Sequence, residues 1–183
     1  AADDIDAVLP TIRSRSRLLR VGVPSKEDAL AWLSAQKRLK GDPEVALAMA
    51  GGAPLNAVKD ITGLTLDAKA SATLRDLLAR GRSLTPDSIV RGYSASMGIP
   101  AVALHLSRWC YDLLRVKSGA DPHFFIREKD VLEKIAADAT MKNLLSLNAA
   151  VAEMRRSAEH PLAPRQVWEG VLLVYVRALG GQV

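Results

Sequence analysis

The stretch Ile99–Lys117 limits the fold of this chain more than any other part of its sequence. Across it Val102, Leu106, Trp109, Cys110, Leu113 and Leu114 recur three or four residues apart, the spacing that sets apolar side chains on one broad face of an α-helix. Gly119 ends the run. A helix with so wide an apolar face needs neighbours on more than one side, so the spacing predicts it at the centre of a bundle. Other segments supply the neighbours. Leu66–Arg80 sets Leu74, Leu77 and Leu78 on one face with Gly81 as its stop, and Thr85-Pro86 opens a helix with Ile89, Val90 and Tyr93 inward. Phe125–Ala137, Thr140–Ala158 and Pro164–Leu179 complete the set, the last carrying Val167, Val171, Leu172, Val174 and Tyr175.

A smaller helical group precedes these. Ser25-Lys-Glu-Asp28 reads as a capping box before a stripe of Ala29, Leu30 and Leu33, which runs to about Gln36. Asp42-Pro43 starts a second helix that Gly51-Gly52 breaks after Ala50. A third begins near Pro54, with Leu55, Val58 and Ile61 as its stripe and Gly63 as its end. The aromatic fraction is only 4%, within a hydrophobic half made mostly of Ala, Leu and Val, which suits packed helices and disfavours an all-β fold. No repeat of fixed period points to a solenoid. The exception to the helical pattern is the start. Leu18, Leu19, Val21 and Val23, closed by Gly22 and Pro24, read as a short buried strand, with Arg13, Arg15 and Arg17 alternating with Ser14 and Ser16 in an extended lead-in. A lone strand cannot satisfy its own backbone, so this piece is expected to belong to a sheet lying outside the sequence.

The net charge of +5 is unevenly placed. Residues 1–12 carry −3, residues 13–40 carry +6, and the rest carries only +2. A local basic segment on a balanced body points to one anion-facing site near the N-terminus, the competing reading being a solvated surface. No apolar run of about 18–20 residues occurs, and Ala-Ala-Asp-Asp does not start a signal peptide, so a soluble, cytoplasmic chain is expected. Cys110 is the single cysteine, which fits a reducing compartment and excludes a multi-cysteine zinc site. His105, His123 and His160 are too scattered to announce a metal site, and Cys110, between Trp109 and Tyr111, reads as a small buried hydrophobe. Trp32 and Trp168 flank apolar stripes, as interface anchors or partly buried core. No Gly-x-x-x-x-Gly-Lys-Ser/Thr occurs, so catalysis of nucleotide hydrolysis by this chain is not expected.

Three segments share a family resemblance. Leu9-Pro-Thr-Ile-Arg-Ser-Arg-Ser-Arg17 resembles the end of the AAA+ domain of clamp-loader subunits, where Thr-x-x-Ser-Arg-Cys-Arg follows the sensor 1 strand and precedes the last core strand. Ser14-Arg15-Ser16 stands for the family's Ser-Arg-Cys, with Ser16 in place of the cysteine. Ala50-Gly51-Gly52-Ala53-Pro54-Leu55-Asn56-Ala57 is similar to the lid turn where active ATPases of the family keep Gly-Ser-x-Arg-Asp-Ala. His160-Pro-Leu-Ala-Pro-Arg-Gln-Val167 resembles the Asn-Pro-Arg stretch opening the last collar helix.

The resemblance covers almost the whole chain and implies an all-α architecture in three parts. Residues 1–23 would be a remnant of the AAA+ core with its strand, 24–63 a three-helix lid, and 64–183 a helical collar that holds a ring of subunits together. It also implies that Arg15 reaches in trans to a neighbour's ATP as an arginine finger, with Ser14 positioning the loop. Arg13 and Arg17 are weaker candidates. Leu55 falls where the sensor 2 arginine would be, which implies a subunit that does not report its own nucleotide. The implied partners are the gamma/tau and delta subunits, with the sliding clamp and primed DNA reached through the DNA polymerase III complex. No cofactor is expected in this chain, the ATP being on the neighbouring subunit. Two alternatives stand beside this reading: a fragment of the gamma/tau ATPase, and a helical DNA-binding protein using the basic stretch 13–40.

Overall fold

A computed structural model describes residues 6, 8–19, 22–39, 41–58, 66–157 and 163–181, and among these the regular structure is entirely helical. After a single turn, α1 (Pro10–Arg13), three short helices form one unit: α2 (Lys26–Ser34), α3 (Pro43–Met49) and α4 (Pro54–Val58). Their starts follow from local chemistry. The Ser25 hydroxyl accepts the Asp28 N–H at 3.1 Å and donates to the Asp28 carboxylate at 2.7 Å, and Asp42 Oδ1 accepts the Glu44 N–H at 2.9 Å beside Pro43. Gly51 and Gly52 take φ of +65° and +84°, left-handed values that end α3 and let the Gly52 N–H donate to the Leu47 carbonyl at 2.9 Å. Ala29, Leu33 and Leu47 make the buried core of this unit, with Leu30, Leu39, Ala57 and Val58 around it.

Among the described residues the second unit has six α-helices, α5 (Ala68–Ala79), α6 (Pro86–Gly92), α7 (Ile99–Lys117), α8 (Lys129–Asp138), α9 (Met141–Ser157) and α10 (Pro164–Ala178), with a 3-10 turn at Gly81–Ser83 between the first two. The spacing-based bounds of α7 hold, and α7 packs against α8, α9 and α10. One continuous apolar core runs from Leu66 to Leu179. Its largest side chains, Trp109, Trp168 and Tyr175, are fully buried, and each polar atom they carry is satisfied. Trp168 Nε1 donates to the Ile89 carbonyl at 2.8 Å, tying α10 to α6. Trp109 Nε1 donates to the Tyr175 hydroxyl at 3.2 Å, which in turn donates to the Leu78 carbonyl at 2.7 Å, so one hydroxyl links α7, α10 and α5.

Several expectations need correction. Arg13, Ser14, Arg15 and Ser16 are not in an extended lead-in: Pro10 at the first helical position pre-sets φ for a turn, and α1 with the two turns after it occupies residues 10–16. Leu18, Leu19, Gly22 and Val23 are not in a strand, while Arg20 and Val21 lie outside the described residues. α8 begins four residues later than the periodicity indicates, for a reason given below. Leu55 is 62% exposed, since α4 is one turn long and only Ala57 and Val58 reach the Leu33 core. Val90 and Val174 are partly exposed, each turned about 100° from its buried neighbour Ile89 or Tyr175. Trp168 is fully buried and so is not an interface anchor, whereas Trp32 is 39% exposed. Ile61, Gly63 and His160 lie outside the described residues. No helix among the described residues is long and apolar enough to cross a membrane.

Removing the linking hydroxyl should be costly. Tyr175→Phe leaves the Trp109 indole N–H without a partner and deprives the Leu78 carbonyl of its donor, both in a dry core, so the unfolding free energy should drop by about 2 kcal/mol. Urea denaturation checks this: the midpoint falls while the slope stays the same.

Candidate functional site

The turn that carries Ser14 and Arg15 is built by local bonds. The Ser14 N–H donates to the Pro10 carbonyl at 2.9 Å, its hydroxyl donates to the Thr11 carbonyl at 3.2 Å, and the Arg15 N–H donates to the Ile12 carbonyl at 3.1 Å. Ser14 therefore shapes the turn on which Arg15 stands. Arg13 pairs with Asp6 at 3.6 Å, while Arg15 and Arg17 have no ion-pair partner among the described residues. All three arginines are exposed. Around them Leu9, Ile12, Leu18, Leu19 and Val23 are exposed as well, Leu19 by 82%. The described hydrogen bonds of Ser14 and Arg15 stay within this segment. Its far end does meet the first helical unit: a Cβ added at Gly52 would sit 3.7 Å from Val23 Cγ1.

Not all of the basic stretch 13–40 is available as free charge. Lys26 Nζ donates to Glu44 Oε1 at 2.6 Å, and this bond holds the ammonium above its ordinary range. Glu44 and Asp42 also face the second unit. Arg127 Nη2 donates to Asp42 Oδ2 at 2.6 Å and lies 4.0 Å from Glu44, which keeps the Asp42 carboxyl below the usual carboxylate range. A cavity of about 310 Å³ sits behind this clasp, walled by Val23, Pro24, Leu47 and Gly52 from one unit and by Pro122 and Ile126 from the other.

The residue that organises this region escaped the sequence reading. Asp112, on the inner face of α7, is fully buried, and its carboxylate accepts three backbone N–H groups: His123 at 2.8 Å, Phe124 at 2.9 Å and Phe125 at 2.7 Å. Those bonds pull residues 123–125 into a turn, so Phe125 cannot begin α8. Its ring instead packs edge-on against Trp109 (4.9 Å) and His105 (5.1 Å). The signal was present: an acidic side chain three residues after Trp109 falls on the apolar stripe, where a carboxylate needs several donors.

His105 and Cys110 both serve the core. The Cys110 thiol is enclosed, and burial pushes it up to about 12, which makes it a hydrophobe and not a nucleophile. His105 Nε2 has no hydrogen-bond partner among the described residues, and burial, reinforced by the Arg108 and Arg75 guanidiniums, lowers its imidazole to about 4. Among the described residues, no three His, Cys, Asp or Glu side chains gather as a metal set.

No protein-family model matches the chain, and no curated protein matches it. Two of its side chains give measurable expectations. Asp112→Asn replaces an acceptor with an amide N–H that opposes the turn's donors, and should destabilise the fold by about 3 kcal/mol in urea denaturation. His105 stays neutral in the folded chain down to about pH 4, whereas the unfolded chain binds that proton from about pH 6.5 downward. The stability it contributes is present above pH 6.5 and is lost as the pH falls through about 4, a change of about 3 kcal/mol. Unfolding free energies measured from pH 7 to pH 4 should show His105→Leu losing that part of the wild-type slope.

Proposed function

We propose that this chain is the lid and collar part of a delta prime-like subunit of the bacterial DNA polymerase III clamp loader, with residues 1–23 a remnant of its AAA+ core, 24–63 the lid and 64–183 the collar. In this reading it is a scaffold of the holoenzyme. The collar helices hold the ring of gamma/tau and delta subunits, while Arg15 enters a neighbour's ATPase site during loading of the sliding clamp onto primed DNA. One observation carries the reading: an exposed Ser14-Arg15-Ser16 turn, flanked by exposed Leu9, Ile12, Leu18 and Leu19, stands ahead of a small three-helix unit and then a larger bundle. Apolar side chains left in water on that scale suit a segment that packs against another folded surface.

The chemistry of the proposed site follows from the guanidinium. Arg15 is exposed and has no ion pair among the described residues, so its N–H donors are available to the oxygens of a γ-phosphate. As the phosphoryl group transfers, charge spreads over those oxygens, and a fixed guanidinium lowers the energy of that state more than the ground state. Ser14 positions the turn through its bond to Thr11. Leu55 offers no donor where a sensor 2 arginine would stand, which favours delta prime over gamma/tau.

Two measurements test the proposal. Mixed with gamma/tau and delta subunits, the chain should form a complex at about micromolar concentration by light scattering, and free components alone would refute the scaffold role. In the subunit carrying its whole AAA+ core, Arg15→Ala should leave assembly intact and slow DNA-stimulated hydrolysis at the neighbouring site by about a hundredfold or more. Unchanged hydrolysis would remove the finger.

A further inference from the structure

The cavity of about 310 Å³ where the two units meet takes its walls from both. Ala29, Leu47 and Ala48 belong to the first unit, and Pro122 and Ile126 to the second. These walls are fixed independently of anything inside. Leu47 is buried in the small core, and Gly52 holds a φ of +84° while its N–H donates to the Leu47 carbonyl at 2.9 Å. Opposite, Pro122 is buried and leads directly into the three backbone bonds that Asp112 accepts from residues 123–125. A space between surfaces so held cannot close without breaking them, so its apolar lining is left short of packing partners. One carboxylate and one ammonium are among the side chains that line it, and they answer each other: Lys26 Nζ donates to Glu44 Oε1 at 2.6 Å. The Glu44 carboxylate also lies 4.0 Å from Arg127, which is bonded to Asp42 at 2.6 Å.

We infer that this cavity binds a small uncharged apolar molecule, held between α3 and residues 122–126. An entering anion would have to displace Glu44 from Lys26, and an entering cation would have to displace Lys26 from Glu44, so neither gains a counter-charge that is not already in use. An uncharged molecule leaves the pair intact and gains the aliphatic walls. Size narrows the class further. An apolar cavity of about 150 Å³ is enough for benzene in a protein core, and this one is about twice that, which suits a fused two-ring molecule. A protein side chain would arrive on a backbone whose N–H and C=O groups need partners, while the Lys26, Glu44, Asp42 and Arg127 groups beside the cavity are bonded to one another. Because the bound molecule touches both units, it stabilises their packed arrangement by mass action. This inference does not depend on the clamp-loader reading.

The test uses the whole chain at neutral pH and α-naphthylamine, an uncharged two-ring probe whose emission shifts to the blue in an apolar site, with its ring-sulfonated derivative as the anionic counterpart. Binding with Kd of about 50 µM is expected, and a tenfold excess over Kd should raise the thermal midpoint by about 3 °C. The sulfonate should bind at least about tenfold more weakly. Ala48→Phe fills the space and should weaken probe binding at least about tenfold without lowering the midpoint of the free chain, and Ile126→Asn should weaken it about fivefold. The inference is overturned by no binding up to about 1 mM, by a sulfonate bound as tightly as the amine, or by wild-type affinity in both variants. Loss of binding only when Leu18 and Leu19 are replaced by serine would place the probe on the exposed N-terminal segment and also overturn it. So would loss of binding as the chain concentration rises, which would mean that a second copy fills the space. Ile126 is only half-buried, so its variant keeps the test decisive even if Ala48→Phe does not fold.

Discussion

The carboxylate of Asp112 is the constraint on which the rest of the second unit and its junction depend. Burying it is costly unless several donors meet it, and the three N–H groups of His123, Phe124 and Phe125 are those donors. Satisfying the carboxylate fixes the turn, and the turn places three consecutive side chains in different roles. Phe125 fills the core against Trp109 and His105. Phe124 and His123 join Tyr111 on the outer face. Arg127 follows closely enough to reach Asp42 of the first unit. The core, the outer aromatic surface and the contact between units are therefore set by one buried charge on α7.

The helices were legible because their signals are local. Ser25, Asp42-Pro43 and Thr85-Pro86 announce starts by their own hydrogen-bonding chemistry, and the Gly51-Gly52 break needs only the left-handed φ that glycine allows. α7 was legible to both ends because its apolar period is sustained over nineteen residues. What escaped depends on distant partners. Residues 125–128 continue the apolar and charged pattern of α8, and only a carboxylate on another helix keeps them out of it. Leu55, Val90 and Val174 look inward by composition, yet a short helix or a turn of about 100° leaves them in water. The strand expected after Arg17 shows the same limit: an apolar run bounded by glycine and proline says that a segment is short, not which backbone it pairs with.

The candidate turn and the cavity between the units differ in legibility for the same reason. Ser14 and Arg15 are adjacent in the chain, so a motif of three residues can mark them, and the turn that holds them is closed by neighbours no more than four residues away. The cavity draws on residues 23–29, 44–52 and 122–126, whose common location exists only after the two units have packed. Net charge gave no hint of it. Lys26 counts toward the +6 of residues 13–40, yet Glu44, which answers it, lies beyond that stretch. Surplus along the chain is not surplus in space: the Lys26–Glu44 and Arg127–Asp42 partners stand 18 and 85 residues apart.

Strongly shifted ionisable groups often mark functional sites, but here that rule points the wrong way. Among the described residues the large shifts belong to His105, Cys110 and Tyr175, all enclosed in the second unit, and burial is the leading cause in each case. Each is held in its neutral form, as a dry core demands. Outside that core, the Arg15 guanidinium stands exposed on its turn. Arginine needs no environment to become charged, so its use is decided by geometry and by the acids that compete for it. A guanidinium on an exposed turn suits a role completed by a neighbouring molecule.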